Sequence, residues 1–555
     1  MKEPWWKKSV VYQIYPKSFN DTTGNGVGDI NGIIEKLDYL KHLGVDVLWL
    51  TPIYESPQRD NGYDISDYFK IDPRYGTMAD FERLLDEAHQ RGLKIIMDIV
   101  VNHTSTDHKW FKEAKSSKDN PYRDFYIWKD PIAGEAPNNW ESKFGGSAWE
   151  YDDVTGQYYL HLYDKTQADL NWENERVRQE VYEMMRFWVK KGVDGFRLDV
   201  INVISKDQRF LNDENGDGRR FYTDGPRVHE FLQEMHHEVI EGHELMTVGE
   251  MSSTTIEHCI KYTRPERREL TMTFNFHHLK VDYPNGEKWA VADFDFLELK
   301  RILSEWQKRM NEGGGWNALF WCNHDQPRIV SRYGNDGEYR KESAKMLATT
   351  IHMMQGTPYI YQGEEIGMTN PGFESIEDYR DVESLNMYKL LQEKGYSKAE
   401  TLEILKQKSR DNSRTPVQWE DSPQAGFTTG TPWIDVAANY HTINVKAALN
   451  DPTSVFYYYQ QLIRLRKEHD ILTYGDYTLL LPDDPAIFAY VRKWQDETLL
   501  IINNFYENQA VFQLPAGMDF TGKNQEVLIA NYSDPQELST EMTLRPYESI
   551  VYHIK

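Results

Sequence analysis

Residues 192–207 read GVDGFRLDVINVISKD. From Val193 to Ile204 the run has the make-up of a strand buried on both faces, apolar almost throughout. Yet Arg197 and Asp199 sit inside it, two residues apart and so on one side of a strand. A buried charge is costly unless it is paired or put to use. The helical pattern ENERVRQEVYEMMRFWVKKG (173–192) leads directly into the run. A helix feeding a doubly buried strand is half of a βαβ unit, so the question is how many such units the chain holds.

Seven further apolar runs answer it: VVYQIY (10–15), VDVLWLTP (45–52), LKIIMDIVVNH (93–103), LMTVGEM (245–251), TMTFNFHH (271–278), NALFWCNHD (317–325) and PYIYQGEE (358–365). Helical patterns such as NGIIEKLDYLKHLG, MADFERLLDEAHQRG, PRVHEFLQEMHHEV and SAKMLATTIHMMQG fall between them. Short apolar runs alternating with helices imply a parallel sheet. Eight of them imply a closed (β/α)8 barrel, whose active site lies at the C-terminal strand ends. Polar residues gather there: Asn102 and His103, Asp199, Glu250, His324 and Asp325, and Glu364. Strand-ending turns would explain one or two of these, but not five strands at once.

The barrel is expected over 1–103 and 172–472. Residues 104–171, rich in Trp, Gly, Asn and Tyr, read as a subdomain inserted after the third strand. Residues 366–453 read as a second insertion of mixed helix and loop. From 473 to 555 the pattern changes to short strands such as AIFAYVRKW, TLLIINNF and ESIVYHI, the signature of a C-terminal antiparallel β-sandwich.

Composition narrows the partners. A net charge of −25 opposes nucleic acid and anionic membranes. The two cysteines, Cys259 and Cys322, form no CxxC, which removes a zinc site and a disulfide framework. The opening MKEPWWKKSV lacks the apolar core of a secretion signal, and no apolar run approaches a membrane span. A cytoplasmic enzyme is expected. The 16 Trp and 35 Tyr suit either core packing or stacking on sugar faces.

DIVVNH (98–103), GFRLDVI (195–201), TVGEM (247–251) and CNHDQPR (322–328) resemble, in order and strand position, the four signature regions of the α-amylase superfamily, glycoside hydrolase family 13; QADLNW (167–172) resembles a further one. DNGYD (60–64), PYRDFYIW (121–128), SKFGGSAWE (142–150) and SRDNSRTPVQW (409–419) resemble its exo-acting branch of oligo-1,6-glucosidases and related α-glucosidases. VISKDQRF, GDGRRFYTDGPR (216–227), EMSSTTIEHC (250–259) and TFNFHHLKVDYPNGEKW (273–289) are most similar to the members that cleave trehalose 6-phosphate.

The resemblance implies roles. Asp199 is the expected nucleophile, with Arg197 keeping it ionised, and Glu250 the acid/base, in a strand with little positive charge nearby. Asp325 is the third carboxylate, and His103 and His324 bind hydroxyls in subsite −1. Asp60, Tyr63 and Arg410 are expected to close the pocket, lined further by Phe144 and Gln167. The substrate would be a small sugar phosphate, trehalose 6-phosphate, split into glucose and glucose 6-phosphate. An oligo-1,6-glucosidase acting on isomaltose-like sugars is the alternative, and Val200 does not separate the two. A catalytically dead transporter subunit would need a membrane helix and lost carboxylates.

A phosphate also demands local positive charge in so acidic a chain. Lys280 and Lys288 are the leading candidates, with His277 and His278 nearby, then Arg219, Arg220 and Arg227. DTTGNGVGD (21–29) resembles the family's calcium loop, with Asp21, Asn25, Val27 and Asp29 as ligands. Thr23 and Asn25 stand where the stronger pattern has Asn and Asp, so the alternative is a Gly-rich turn capped by Asp29. The chemistry itself needs no metal or other cofactor.

Overall fold

The computed structural model describes residues 3–214, 216–520 and 522–555. The eight apolar runs form eight parallel strands: β1 (Val11–Ile14), β2 (Val47–Leu50), β3 (Lys94–Ile99), β4 (Gly195–Leu198), β5 (Met246–Glu250), β6 (Met272–Phe274), β7 (Ala318–Leu319) and β8 (Thr357–Tyr361). They are hydrogen-bonded in the order β6-β5-β4-β3-β2-β1-β8-β7. A parallel bridge from Thr273 to Asn317 joins β6 to β7 and closes the barrel.

The strands are shorter than the apolar runs that announce them. β4 ends at Leu198 rather than running to Ile204. Asp199 then leaves the ladder, and Val200 takes a left-handed conformation, φ 38°. That conformation is an outlier for a β-branched residue. It turns the chain at the barrel mouth and leaves Ile201–Val203 as a single helical turn. Gly192, at φ 105°, ends the preceding helix Glu175–Lys191 and aims the chain into β4. Within β4, Gly195 lies against β5 so closely that a Cβ would stand 1.9 Å from the Met246 carbonyl oxygen. Only glycine lets these two strands, which carry Asp199 and Glu250, approach so nearly.

Register does the rest. Leu198 lies opposite Ile99 on one side and Gly249 on the other. Asp199 and Glu250 therefore emerge side by side, one residue later, at neighbouring strand ends. Residues 104–171 leave the barrel after β3. Here the antiparallel pair His103–Ser105 with Gln167–Asp169 stands over the barrel mouth, beside a three-stranded sheet. The 366–453 segment contributes the helices Val382–Glu393 and Lys398–Lys408 and the turn Asp411–Arg414. After the helix Val455–Glu468 come a five-stranded antiparallel sheet and a two-stranded one, packed around Ile487, Leu500, Phe512, Leu544 and Ile550. Among the described residues no helix is long and apolar enough to cross a membrane.

Candidate active site

One cavity of about 310 Å³ opens at the C-terminal face of the barrel, lined by Asp199, Glu250 and Asp325 together with Asp60, Tyr63, His103, Phe144 and Arg410. At its floor lies Arg197, fully buried. Its guanidinium meets Asp98 at 2.8 Å, Asp199 at 2.7 Å and Glu250 at 2.6 Å. The contact with Glu250 corrects the expectation that this residue lacks nearby positive charge. The strands are adjacent, so one arginine on β4 reaches both carboxylates. Asp199 and Glu250 thus sit side by side on the two ends of one guanidinium. The Val200 N–H, turned inward by its left-handed conformation, donates to Glu250 Oε2 at 3.2 Å.

The pair is electrostatically split. Burial lifts Glu250 to about 8; Arg197 opposes the rise, while Asp199 and Asp325 add to it. Asp199 is also raised by burial, but Arg197 limits it to about 6. Near neutrality one carboxyl is ionised and its neighbour carries a proton, the division that acid–base chemistry needs. Two carboxyls held by one guanidinium, at 2.7 and 2.6 Å, are close neighbours, as in retaining glycosidases rather than the more widely spaced inverting enzymes.

Asp325 behaves differently. Burial would raise it, but His324, Arg410 and Arg414 hold it well below the usual carboxylate range. Burial pushes His324 itself down to about 3, so it is neutral in ordinary buffers. The two arginines, at 3.3 and 2.8 Å, therefore keep Asp325 ionised. His103 is likewise neutral, lowered by burial to about 4. It is braced by the Tyr63 carbonyl and by Gln167.

At the closed end of the cavity, Arg410 meets Asp60 at 3.1 Å and lies over the Phe144 ring. Gln167 donates to Asp60 at 2.9 Å. Tyr63 stacks on His324 with the rings 5.1 Å apart and donates its hydroxyl to Asp98. Two residues absent from the sequence reading complete the clamp. Asp381 holds Arg410 at 2.5 Å, and Glu383 touches both Arg410 and Lys288. Asp98 lies within the DIVVNH motif, but its partnership with Arg197 has no local signal.

The mouth is basic. Lys280, Lys288 and Arg219 line it, joined by Lys143, which sequence reasoning passed over although it adjoins Phe144. Burial and then the charges of Arg219 and Lys280 bring Lys143 down to about 7, and its ammonium donates to Ser252 Oγ, two residues past Glu250. Lys288 is held by both oxygens of Glu383 at 2.8 Å. Other basic candidates are corrected. Arg220 pairs with Asp213, and Arg227 with Glu173 and Glu230. Buried His278 bonds the Phe320 carbonyl, and His277 packs on Trp306. Glu364 also lies outside the cavity, its carboxylate bonded by Tyr459.

The side-chain oxygens of the 21–29 loop are turned to donors of the chain itself. Asp21 accepts from the amides of Thr23, Gly24 and Gly26 and from the hydroxyls of Thr23 and Thr428. Asp29 accepts from Thr22 and caps the helix Ile30–Glu35 through Gly32. Asn25 accepts from the Val27 amide. Asp29 thus caps the following helix, and both carboxylates of the loop accept hydrogen bonds from within the chain.

The model of the alpha-amylase catalytic domain matches residues 13–475, and that of the alpha-amylase SusG C-terminal domain matches 487–551. The chain is 69% identical to a trehalose-6-phosphate hydrolase of Bacillus subtilis, over 99% of this chain and 98% of that protein. It is 58% identical to an oligo-1,6-glucosidase of Parageobacillus thermoglucosidasius, over the full length of both. A crystal structure of the trehalose-6-phosphate hydrolase of Bacillus licheniformis superposes with a TM-score of 0.96 at 71% identity, each chain covered completely.

Proposed function

The chain belongs to the α-amylase family, and on that premise we propose that it hydrolyses trehalose 6-phosphate to glucose and glucose 6-phosphate as a retaining, exo-acting α-glucosidase. One observation carries the reading. In a protein of charge −25, the cavity that ends at Asp199 and Glu250 opens between four basic side chains, Lys143, Arg219, Lys280 and Lys288. Charge-assisted hydrogen bonds to phosphate are the strong kind, and lysines supply point charges for them. A neutral isomaltose-like substrate gives no reason for such a mouth.

The terminal glucose enters the closed end, where Asp60, Arg410, His103, His324 and Asp325 meet its hydroxyls. Ionised Asp199 attacks the anomeric carbon as the glycosidic bond breaks. Protonated Glu250 gives its proton to the departing oxygen, and glucose 6-phosphate leaves through the basic mouth. A water then gives a proton to the Glu250 carboxylate while its oxygen bonds to the anomeric carbon. Asp199 departs as a carboxylate, and the second glucose is released as the α-anomer. Arg197 serves both steps by opposing the negative charge of the carboxyl pair. No metal enters these steps, and the cytoplasm is the compartment that suits a small phosphorylated substrate and the two free, buried thiols Cys259 and Cys322.

The test is side-by-side hydrolysis of trehalose 6-phosphate, trehalose and isomaltose. The phosphorylated sugar should be preferred in kcat/KM by at least tenfold over either neutral one. Equal or better turnover of isomaltose would establish the oligo-1,6-glucosidase reading instead.

A further inference from the structure

Beneath the basic mouth, outside the cavity, lies a buried cluster of two cations and one carboxylate that the reaction does not use. Asp282 accepts from Arg332 at 2.8 and 2.9 Å and from Lys408 at 2.9 Å. All three side chains are at most 7% exposed. Lys408 also bonds the Asp282 carbonyl at 3.0 Å. Such a cluster is expensive to desolvate and is weak evidence for stability as such. Its connections point to a role.

Asp282 belongs to the loop after β6, which carries Lys280 two residues before it and Tyr283 directly after. Both of those line the cavity, as does Lys288 further along. Arg332 lies in the short helix Ile329–Tyr333, which follows Asp325. Besides Asp282 it bonds the Leu279 carbonyl and, at 2.8 Å, Gln326 Oε1; Leu279 and Gln326 also line the cavity. Lys408 ends the helix Lys398–Lys408, two residues before Arg410. The Lys408 ammonium and the Arg332 guanidinium also sit 5.2 and 5.8 Å from the Tyr283 ring. Three segments, the outermost 126 residues apart in sequence, thus meet on one carboxylate. Each delivers a different part of the cavity: the basic mouth, the neighbour of Asp325, and Arg410.

From this we infer that Asp282 is a positioning residue for phosphate recognition: it docks the loop bearing Lys280 and Lys288 onto the elements that carry Asp325 and Arg410. The mouth loop has little regular structure of its own. The two helical turns nearest Lys280, His277–Leu279 and Pro284–Gly286, are a single turn each, and Asn285 takes a left-handed conformation within the second. Lysines on long, rotatable stems bind a phosphate well only if their backbone is held in place. The cluster also leaves a net positive charge below the mouth, which favours a dianion above it. The subsite −1 residues, by contrast, rest on barrel strands and on the Asp60–Arg410–Asp381 clamp, and do not depend on Asp282.

The inference rests on reading the basic mouth as the phosphate subsite, and two substrates separate the two claims. In Asp282→Asn, KM for trehalose 6-phosphate should rise at least tenfold. The kcat/KM for p-nitrophenyl α-glucoside, which carries no phosphate, should change less than twofold. Asp282→Asn strands two buried cations and can fail to fold; the double variant Asp282→Asn/Lys408→Met removes one charge of each sign and should show the same split. Inhibition by inorganic phosphate, measured on p-nitrophenyl α-glucoside, should weaken in parallel. Equal losses on both substrates in the folded double variant, or an unchanged KM for trehalose 6-phosphate, would overturn the role of Asp282. A wild type indifferent to the phosphate would overturn the subsite itself.

Discussion

Moving the pH across the carboxyl pair should cut activity on both sides of a plateau, and the two environments set where. The productive state has Asp199 ionised and Glu250 protonated. Asp199 is raised to about 6, burial being offset by Arg197, and Glu250 to about 8, burial being reinforced by Asp199 and Asp325. With those values about four-fifths of the enzyme is productive at pH 7, and about one-tenth at pH 5 and again at pH 9. The expected profile of kcat/KM is a bell, roughly ninefold lower at either extreme than at its centre. Because the two carboxyls share Arg197 and shift one another, the limbs report the pair rather than either residue. The assay is kcat/KM for p-nitrophenyl α-glucoside in quenched aliquots from pH 4.5 to 9.5. That substrate has no phosphate, whose own ionisation near pH ~6 would overlie the acid limb. Glu250→Gln, with no proton to give or lose, should keep the acid limb and lose the alkaline one. A flat profile between pH 5 and 9, or an alkaline limb that survives in Glu250→Gln, would refute the assignment of the raised group to the acid/base.

The remaining expectations are simpler to read. Asp199→Asn should fold normally, by circular dichroism, and lower kcat by several orders of magnitude, since no covalent intermediate can form; for the parent, proton NMR should show α-glucose as the first-formed anomer. Arg410→Ala leaves Asp60 buried without its cation and Asp381 with only Arg414, at 3.6 Å, and should lower the unfolding free energy by on the order of 3–5 kcal/mol, the cost of breaking a buried pair, and weaken kcat/KM as the terminal glucose loses its clamp; a kcat/KM loss under threefold would mean that the closed end of the pocket does not rest on this clamp. Chelation by EDTA, followed by added calcium, should leave the melting temperature unchanged within error, because the Asp21 and Asp29 carboxylates are already committed to amide and hydroxyl donors.

The barrel was legible because its evidence is local. A strand buried on both faces must be apolar along its length, and eight such runs separated by helical periodicity admit few arrangements. The strand-end residues Asp199, Glu250, His324 and Asp325 were legible for a related reason. A polar side chain ending an apolar strand at the C-terminal face of a barrel is placed where the site is built. Strand ends were the weak point. The run through Val200 looked continuous, because nothing in its composition announces a left-handed valine; that conformation is imposed by the turn and the contact with Glu250.

Tertiary structure alone decided which charges meet. Arg197 reaches Glu250 as well as Asp199 because β4 and β5 are in register, a fact of pairing that no spacing encodes. Lys143 and Glu383 join the cavity, and Asp381 the clamp behind it, from segments whose placement over the barrel the sequence did not reveal. Arg220 and Arg227, equally basic on paper, pair with carboxylates away from the cavity lining, whereas Arg219 and Lys288, also paired, remain in it. At Asp29 the same carboxylate would suit a cation or a helix cap, and the direction of its oxygens is a matter of tertiary structure too. Charge is a property of a residue, but its energy depends on the distance to another charge and on the water excluded between them. The sequence by itself determined the elements, the barrel and the polar strand ends; only folding determined the distances, and with them which carboxyl holds a proton and which basic groups are left to face the cavity.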